Sequence, residues 1–204
     1  PHPIYDNFGE IKPRKKALEY LKLDPKYRYL LFFGLIRDYK GLDLLLEAFS
    51  THELRENKIK LIIAGEYYSD ETLYQKLIEK YNLEKDIIQK DKFIPDSEVH
   101  YFFNACDLVV QPYKSATQSG VTQIAYHFNK PMIVTNVGGL KEMCPNEKVG
   151  YVVEPKADEI KNAILKFFKL SNTDEMVKNI KELKTHYSWS LFTKNLLSLM
   201  DSEK

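Results

Sequence analysis

The chain has 204 residues, 44% hydrophobic and 29% charged, with a net charge of +1 at neutral pH. That is the composition of a folded globular protein with room for one large domain or two small ones. The near-even charge balance excludes a strongly basic nucleic-acid binder and a partner selected by charge alone.

Residues 1–12 are linker-like. An opening of Pro1-His2-Pro3 without Met is expected for a piece of a longer protein, cut at a domain boundary, so one domain is expected over 13–204. Pro13 suits the first turn of a helix running to about Leu23, with Leu18 and Leu21 inward and Arg14-Lys15-Lys16 as a solvated face. Tyr29–Phe33 is a continuous apolar run, a buried strand of the parallel kind, ending at Gly34. The loop Leu35–Gly41 follows, and the next helix buries Leu42, Leu45, Leu46 and Phe49 at helical spacing. Leu61–Ala64 is a further strand, stopped by Gly65. The spacing predicts a helix over Asp70–Tyr81 with Leu73, Leu77 and Tyr81 on one face. Asp86–Ile94 is a weaker strand, interrupted by Gln89-Lys90-Asp91-Lys92. Pro95-Asp96-Ser97 starts a helix over Val99–Ala105, with Ser97 or Asp96 as N-cap.

The most informative stretch is Gln111–Thr135, which reads as strand end, polar loop, helix and strand. Pro112 stops the run Leu108-Val109-Val110, and the loop Tyr113–Gln118 ends at Ser119-Gly120. The helix then carries Val121, Ile124, Ala125 and Phe128 on one apolar stripe. Asn129-Lys130-Pro131 closes it before the strand Met132-Ile133-Val134. A Ser-Gly entry into a helix after a parallel strand offers free N–H groups and the positive end of the helix dipole. It suits a phosphate-bearing ligand, or it is an ordinary corner capped by Ser119. Gly138-Gly139 is read as a ligand approach or as a turn needing positive φ. Tyr151–Val153 is a last short strand. Three amphipathic segments follow, carrying Ile160, Ala163, Ile164 and Phe167, then Met176, Ile180 and Leu183, then Phe192, Leu196, Leu199 and Met200. Trp189, ahead of the third, is expected to pack.

The alternation predicts an α/β fold: a Rossmann-like, doubly wound parallel sheet of about six strands, helices on both faces and helices at the C-terminus. Ligands of such sheets sit at the carboxyl ends of strands. Two of those ends carry Gly34/Arg37/Lys40 and Ser119/Gly120, so both loops can face one crevice. Arg offers bidentate contacts to phosphate and Lys a point charge, although two solvated surface cations would read the same way. No dinucleotide fingerprint, P-loop or nucleophile elbow is present. The five histidines are scattered, giving a metal cluster no support. Cys106 and Cys144 sit near apolar runs and are expected as buried free thiols in a reducing compartment.

The segments FFGLIRDYKGLDLLLEAF (Phe32–Phe49), LIIAGE (Leu61–Glu66), FIPDSEVHYFFNACDLVVQPY (Phe93–Tyr113) and SGVTQIAYHFNKPMIVTNVGGLKE (Ser119–Glu142) together resemble the C-terminal, donor-binding domain of a family 4 retaining glycosyltransferase. The opening Pro1–Asn7 and the helix near Lys15–Leu23 are similar to the hinge after that family's N-terminal domain. The resemblance implies a nucleotide diphosphate sugar, UDP- or GDP-linked, as substrate, with no cofactor and no metal. Its diphosphate would meet Arg37, Lys40 and backbone amides near Gly34 and Ser119-Gly120-Val121. The base would lie against Phe93-Ile94-Pro95. A hexosyl group would pass to a glycan or glycolipid bound by the missing N-terminal domain, in surface polysaccharide synthesis. The full-length protein would be cytoplasmic, with possible peripheral membrane association, and would need no nucleic acid. No catalytic residue is assigned.

Two positions depart from the family pattern. Leu35 stands where the family has Arg after the first glycine, and Arg37 is expected to compensate. Ala116 and Ile124 stand where it has two glutamates. Ile124 lies on the apolar stripe and is expected to face the core. Gln123 would then supply an amide to the ribose, and Thr117, Gln118 and Ser119 would hold sugar or phosphates. The departures fit a subfamily with its own loop or a degenerate, non-catalytic site. A nucleotide-sugar epimerase is a further alternative; it needs proton-transfer groups of which these loops offer no convincing pair, and which the missing domain could supply.

Overall fold

A computed structural model describes residues 3–68, 70–170 and 172–190, together with 193, 194 and 198. Its strands are β1 (Arg28–Phe33), β2 (Ile59–Ala64), β3 (Ile87–Lys90), β4 (Leu108–Gln111), β5 (Met132–Thr135) and β6 (Gly150–Val153). They form one sheet in the order β3-β2-β1-β4-β5-β6, with every pairing parallel. The helices are α1 (Arg14–Leu21), α2 (Leu42–Phe49), α3 (His52–Glu56), α4 (Glu71–Lys80), α5 (Asp96–Ala105), α6 (Gly120–His127), α7 (Ala157–Leu170) and α8 (Thr173–Lys184).

The strands are apolar on both faces because both are covered. Tyr29, Leu31, Ile62, Val109 and Met132 pack with α1, α5 and α6. The alternate residues Leu30, Phe32, Leu61, Ile63, Val110 and Ile133 pack with α2, α4 and α7. This is the doubly wound fold that the strand–helix alternation predicts. Its order reverses between β1 and β4, where Leu30 pairs with Leu108 and Leu31 with Val109. Loops leaving β1 and β4 therefore emerge side by side, and β3 is an edge. No helix among the described residues is long and apolar enough to cross a membrane.

Several local expectations are corrected. In α4 the buried residues are Tyr74 and Ile78, with Leu77 and Tyr81 partly covered, while Leu73 is 47% exposed. The inner face is turned by one residue because Tyr74 packs under the loop at Tyr67, their rings 5.6 Å apart. Gln89 and Lys90 do not interrupt β3 but end it, since an edge strand tolerates polar side chains. Asp96 and Ser97 lie inside the first turn of α5, and neither caps it; Pro95 holds that place. The helix α3, short and polar, has no periodicity to reveal it.

Arg14 is not simply solvated. Its guanidinium donates to the Ala105 and Tyr27 carbonyls and pairs with Asp107 at 2.9 Å, tying α1 to the start of β4. Trp189 is 52% exposed rather than packed, with its indole N–H donating to the Ile4 carbonyl at 3.1 Å. Cys106 and Cys144 are buried free thiols, and burial pushes both up to about 12. Phe192, Leu196, Leu199 and Met200, the apolar positions of the third C-terminal segment, lie outside the described residues.

The turned face of α4 has a direct test. Ile78→Ala is expected to cost about 2–5 kcal/mol in chemical denaturation, as for a filled core site. Leu73→Ala should stay within about 0.5 kcal/mol. Equal losses would restore the face that the sequence suggests.

Candidate functional site

The two loops at the switch point are stitched together. Gly41 takes φ +67° against the other loop, where a Cβ would lie 2.0 Å from the Pro112 carbonyl oxygen. The Lys114 N–H donates to the Tyr39 carbonyl at 2.7 Å, and its ammonium pairs with Asp38 and Asp43, each at 2.9 Å. The Tyr39 and Tyr113 rings meet edge to face at 6.0 Å. From the far side, Thr135 donates its hydroxyl to the Tyr113 carbonyl. Gly138 and Gly139 press on the backbone at Ala116 and Thr117, with the Gly139 N–H donating to the Thr117 carbonyl at 3.0 Å. Those glycines therefore seat the Tyr113–Ser119 loop.

Between the loops lies a cavity of about 540 Å³, lined among others by Gly34, Leu35, Lys40, Tyr113, Gln118, Ser119, Gly120, Val121 and Ile124. At its base Gly34 takes φ +92°, and a Cβ there would sit 3.1 Å from the Lys40 Nζ. Lys40 is only 8% exposed. Its ammonium lies 5.8 Å from the centre of the Tyr113 ring. No carboxylate or hydrogen-bond acceptor meets it among the described residues. Burial, and secondly the charge of Arg37, lower its pKa to about 8.

Ser119 occupies the N-cap position of α6, but its hydroxyl meets the Tyr113 phenol at 3.2 Å instead of capping. The corner therefore differs from the capped alternative, because the Tyr113 ring competes for the hydroxyl. The N–H groups of Gly120 and Val121 have no acceptor among the described residues. An unpaired cation and an uncapped helix start thus face one cavity, the arrangement that binds phosphate oxygens.

The other expected residues are spread around it. Arg37 is exposed on the rim, its guanidinium 5.2 Å from the centre of the Tyr68 ring, where it influences Lys40 without lining the cavity. Thr117 and Gln118 are exposed, and Gln118 reaches the wall. Ile124 is 5% exposed, as a core residue would be, and also forms part of the wall. Gln123 is 4% exposed and does not reach the cavity; its amide oxygen is buried without a partner. Phe93 and Ile94 line a second cavity with Gly65, Glu66 and Asp96, which shares Phe8, Phe33, Gly34 and Leu35 with the first. Pro95 faces a neighbouring depression beside Tyr20 and Glu98. The sequence reading missed Tyr5, Phe8, Glu66 and Tyr113. The carboxyl-end rule applied to β2 would have pointed to Glu66, and nothing in the linker pointed to Tyr5 or Phe8.

A doubly wound α/β domain with a cavity at its switch point has the architecture in which open α/β sheets place their ligands. The chain matches the family Glycosyl transferases group 1 over residues 13–184 and belongs to it. It is 28% identical over 177 residues to an uncharacterized glycosyltransferase of Methanocaldococcus jannaschii, covering 84% of this chain and 47% of that protein. It is 26% identical over 189 residues to the lipopolysaccharide 1,2-N-acetylglucosaminetransferase of Salmonella typhimurium, covering 87% and 49%. The crystal structure of Anabaena HepE in complex with UDP shares the fold, with a TM-score of 0.83 at 17% identity over 98% of this chain and 57% of that one. The chain spans about half the length of the curated relatives it matches.

Lys40 gives a stability prediction with a definite sign. Its folded pKa of about 8 lies below the ordinary 10.5, so the charged form is disfavoured by folding at pH 7 and the penalty fades as pH rises from about 8 to 10.5. Lys40→Met should raise stability at pH 7, on the order of 1–3 kcal/mol, and its advantage should vanish near pH 10.5. A destabilised Lys40→Met variant at pH 7 would contradict the unpaired ammonium.

Proposed function

We propose that this chain is the donor-binding part of a glycosyltransferase, holding a nucleotide diphosphate sugar while a hexosyl group passes to an acceptor. The observation that carries this is the buried, unpaired Lys40 ammonium facing the uncapped start of α6. Lys40 and the N–H groups of Gly120 and Val121 hold the diphosphate, and Arg37 adds positive charge from the rim. The departing diphosphate gains charge as the glycosidic bond breaks, so donors already in place favour the transition state over the ground state. The second cavity, at Phe93 and Ile94, takes the base through backbone groups. UDP is the first candidate, because the HepE structure contains it. The cations and the helix start serve where other enzymes use a metal.

The acceptor is a glycan or glycolipid of a surface polysaccharide, bound by a second half that precedes residues 1–12 in the full protein. The half-length match to the relatives supports that division, and the Salmonella relative's name supports the acceptor class. The full protein works in the cytoplasm, at the membrane surface where such acceptors are presented. Configuration at the sugar is retained, as in the family it resembles.

Calorimetric titration with UDP, GDP and ADP tests the reading. One of them should bind saturably. Lys40→Ala should weaken that binding by roughly 1–3 kcal/mol, and Arg37→Ala by less than about 1 kcal/mol. Binding to none, or equal binding in Lys40→Ala, would remove the site. The 204-residue chain alone should transfer no sugar. Turnover at about 1 s⁻¹ or faster would contradict the missing acceptor half.

A further inference from the structure

The cavity has a wall from outside the family-matched region. Tyr5, in the segment ahead of α1, lies over the start of α6. Measured from a Cβ placed on Gly120, its Cε2 is 3.0 Å away, Cδ2 3.7 Å and Cζ 4.0 Å, so the Cδ2–Cε2 edge of the ring lies against the helix start. The residue is half-buried and lines the same cavity as Lys40 and Ser119. Its hydroxyl has no hydrogen bond among the described residues. The segment is pinned on both sides of it. The Ile4 N–H donates to the Tyr187 carbonyl at 2.9 Å, and the His127 ring donates to the Gly9 carbonyl at 2.7 Å. Beyond these, the Asn104 amide oxygen accepts from the Lys12 N–H, and its amide nitrogen donates to the Glu10 carbonyl, each at 3.1 Å.

We propose that Tyr5 is a phosphate-binding residue of the donor site, its phenol donating a hydrogen bond to a diphosphate oxygen held by Lys40 and the Gly120 N–H. This rests on the donor-binding reading above and extends it to a residue that no part of that reading includes. A phenol is a neutral donor with a fixed reach of one ring, so it adds orientation without further charge in a site that already carries a buried cation. The consequence is mechanical. The segment that leads into the domain touches the ligand directly, so occupancy at the switch point is felt by the chain that joins this domain to whatever precedes it.

The test uses the nucleoside diphosphate that the wild-type chain binds and its parent nucleoside. Tyr5→Phe keeps the ring against Gly120 and removes only the hydroxyl. It should weaken diphosphate binding about tenfold or more, as expected for a lost hydrogen bond to a charged group, and leave nucleoside binding within about twofold. Tyr5→Ala should lose at least as much diphosphate affinity. Unchanged diphosphate affinity in Tyr5→Phe would overturn the assignment while leaving the donor-binding reading intact. An equal loss for nucleoside and diphosphate would also overturn it, by showing a purely structural role. Failure of the wild-type chain to bind any nucleoside diphosphate would overturn both.

Discussion

A largely buried lysine whose ammonium faces a cavity with no counter-ion among the described residues is an expensive feature, and the switch point of this fold is built around one. Lys40 is held against Gly34 and the face of Tyr113, where burial drives its pKa down to about 8. A structural lysine in that position would have acquired a carboxylate or turned to solvent. Asp38 and Asp43 are close by in sequence, yet both pair with Lys114 instead. The neighbouring carboxylates are thereby used to join two loops, and Lys40 is left without a carboxylate partner among the described residues. Such a standing strain at one point is the usual mark of a site whose partner is a ligand.

The surrounding contacts make that site rigid before any ligand arrives. The loop after β1 is fastened to the loop after β4 through Gly41 and Pro112, through Tyr39 and Lys114, and through paired aromatic rings. The loop after β5 supports the second of these from behind. Strand order brings the loops together, and close backbone contact keeps them there. A polyanion bound there, as proposed, would meet donors that need little reorganisation, which is where electrostatic stabilisation is largest. The same logic explains why Ser119 spends its hydroxyl on Tyr113. A self-capped helix would satisfy its own N–H groups and have less to offer a phosphate.

The sheet was legible because its signal is redundant. Runs such as Tyr29–Phe33 and Leu61–Ala64 are apolar on both faces, and amphipathic helices between them leave one fold class. The loops at strand ends were legible for the same reason, since topology alone sends Gly34, Lys40 and Ser119 to one crevice. What failed was finer. The face of α4 is decided by Tyr74, whose partner Tyr67 is remote from helical periodicity. Gln123 reads as a polar residue on offer, but α6 is covered all round and buries it. Trp189 reads as core, and its place at the edge of the N-terminal segment is a matter of long-range contact. Tyr5 and Phe8 lie in a stretch with no periodicity, so only the fold could bring them to the cavity.

The central claim concerns the charge state of one nitrogen, and it can be read directly. Following the Lys40 side chain by carbon-13 NMR across a pH series, with and without a saturating nucleoside diphosphate, measures its pKa in both states. The account predicts a value of about 8 in the free chain and a rise toward or above the ordinary lysine value of about 10.4 when the anion is bound. A free value at the ordinary lysine position, or a pKa unmoved by the nucleotide, would mean that Lys40 is not the anchor of the site.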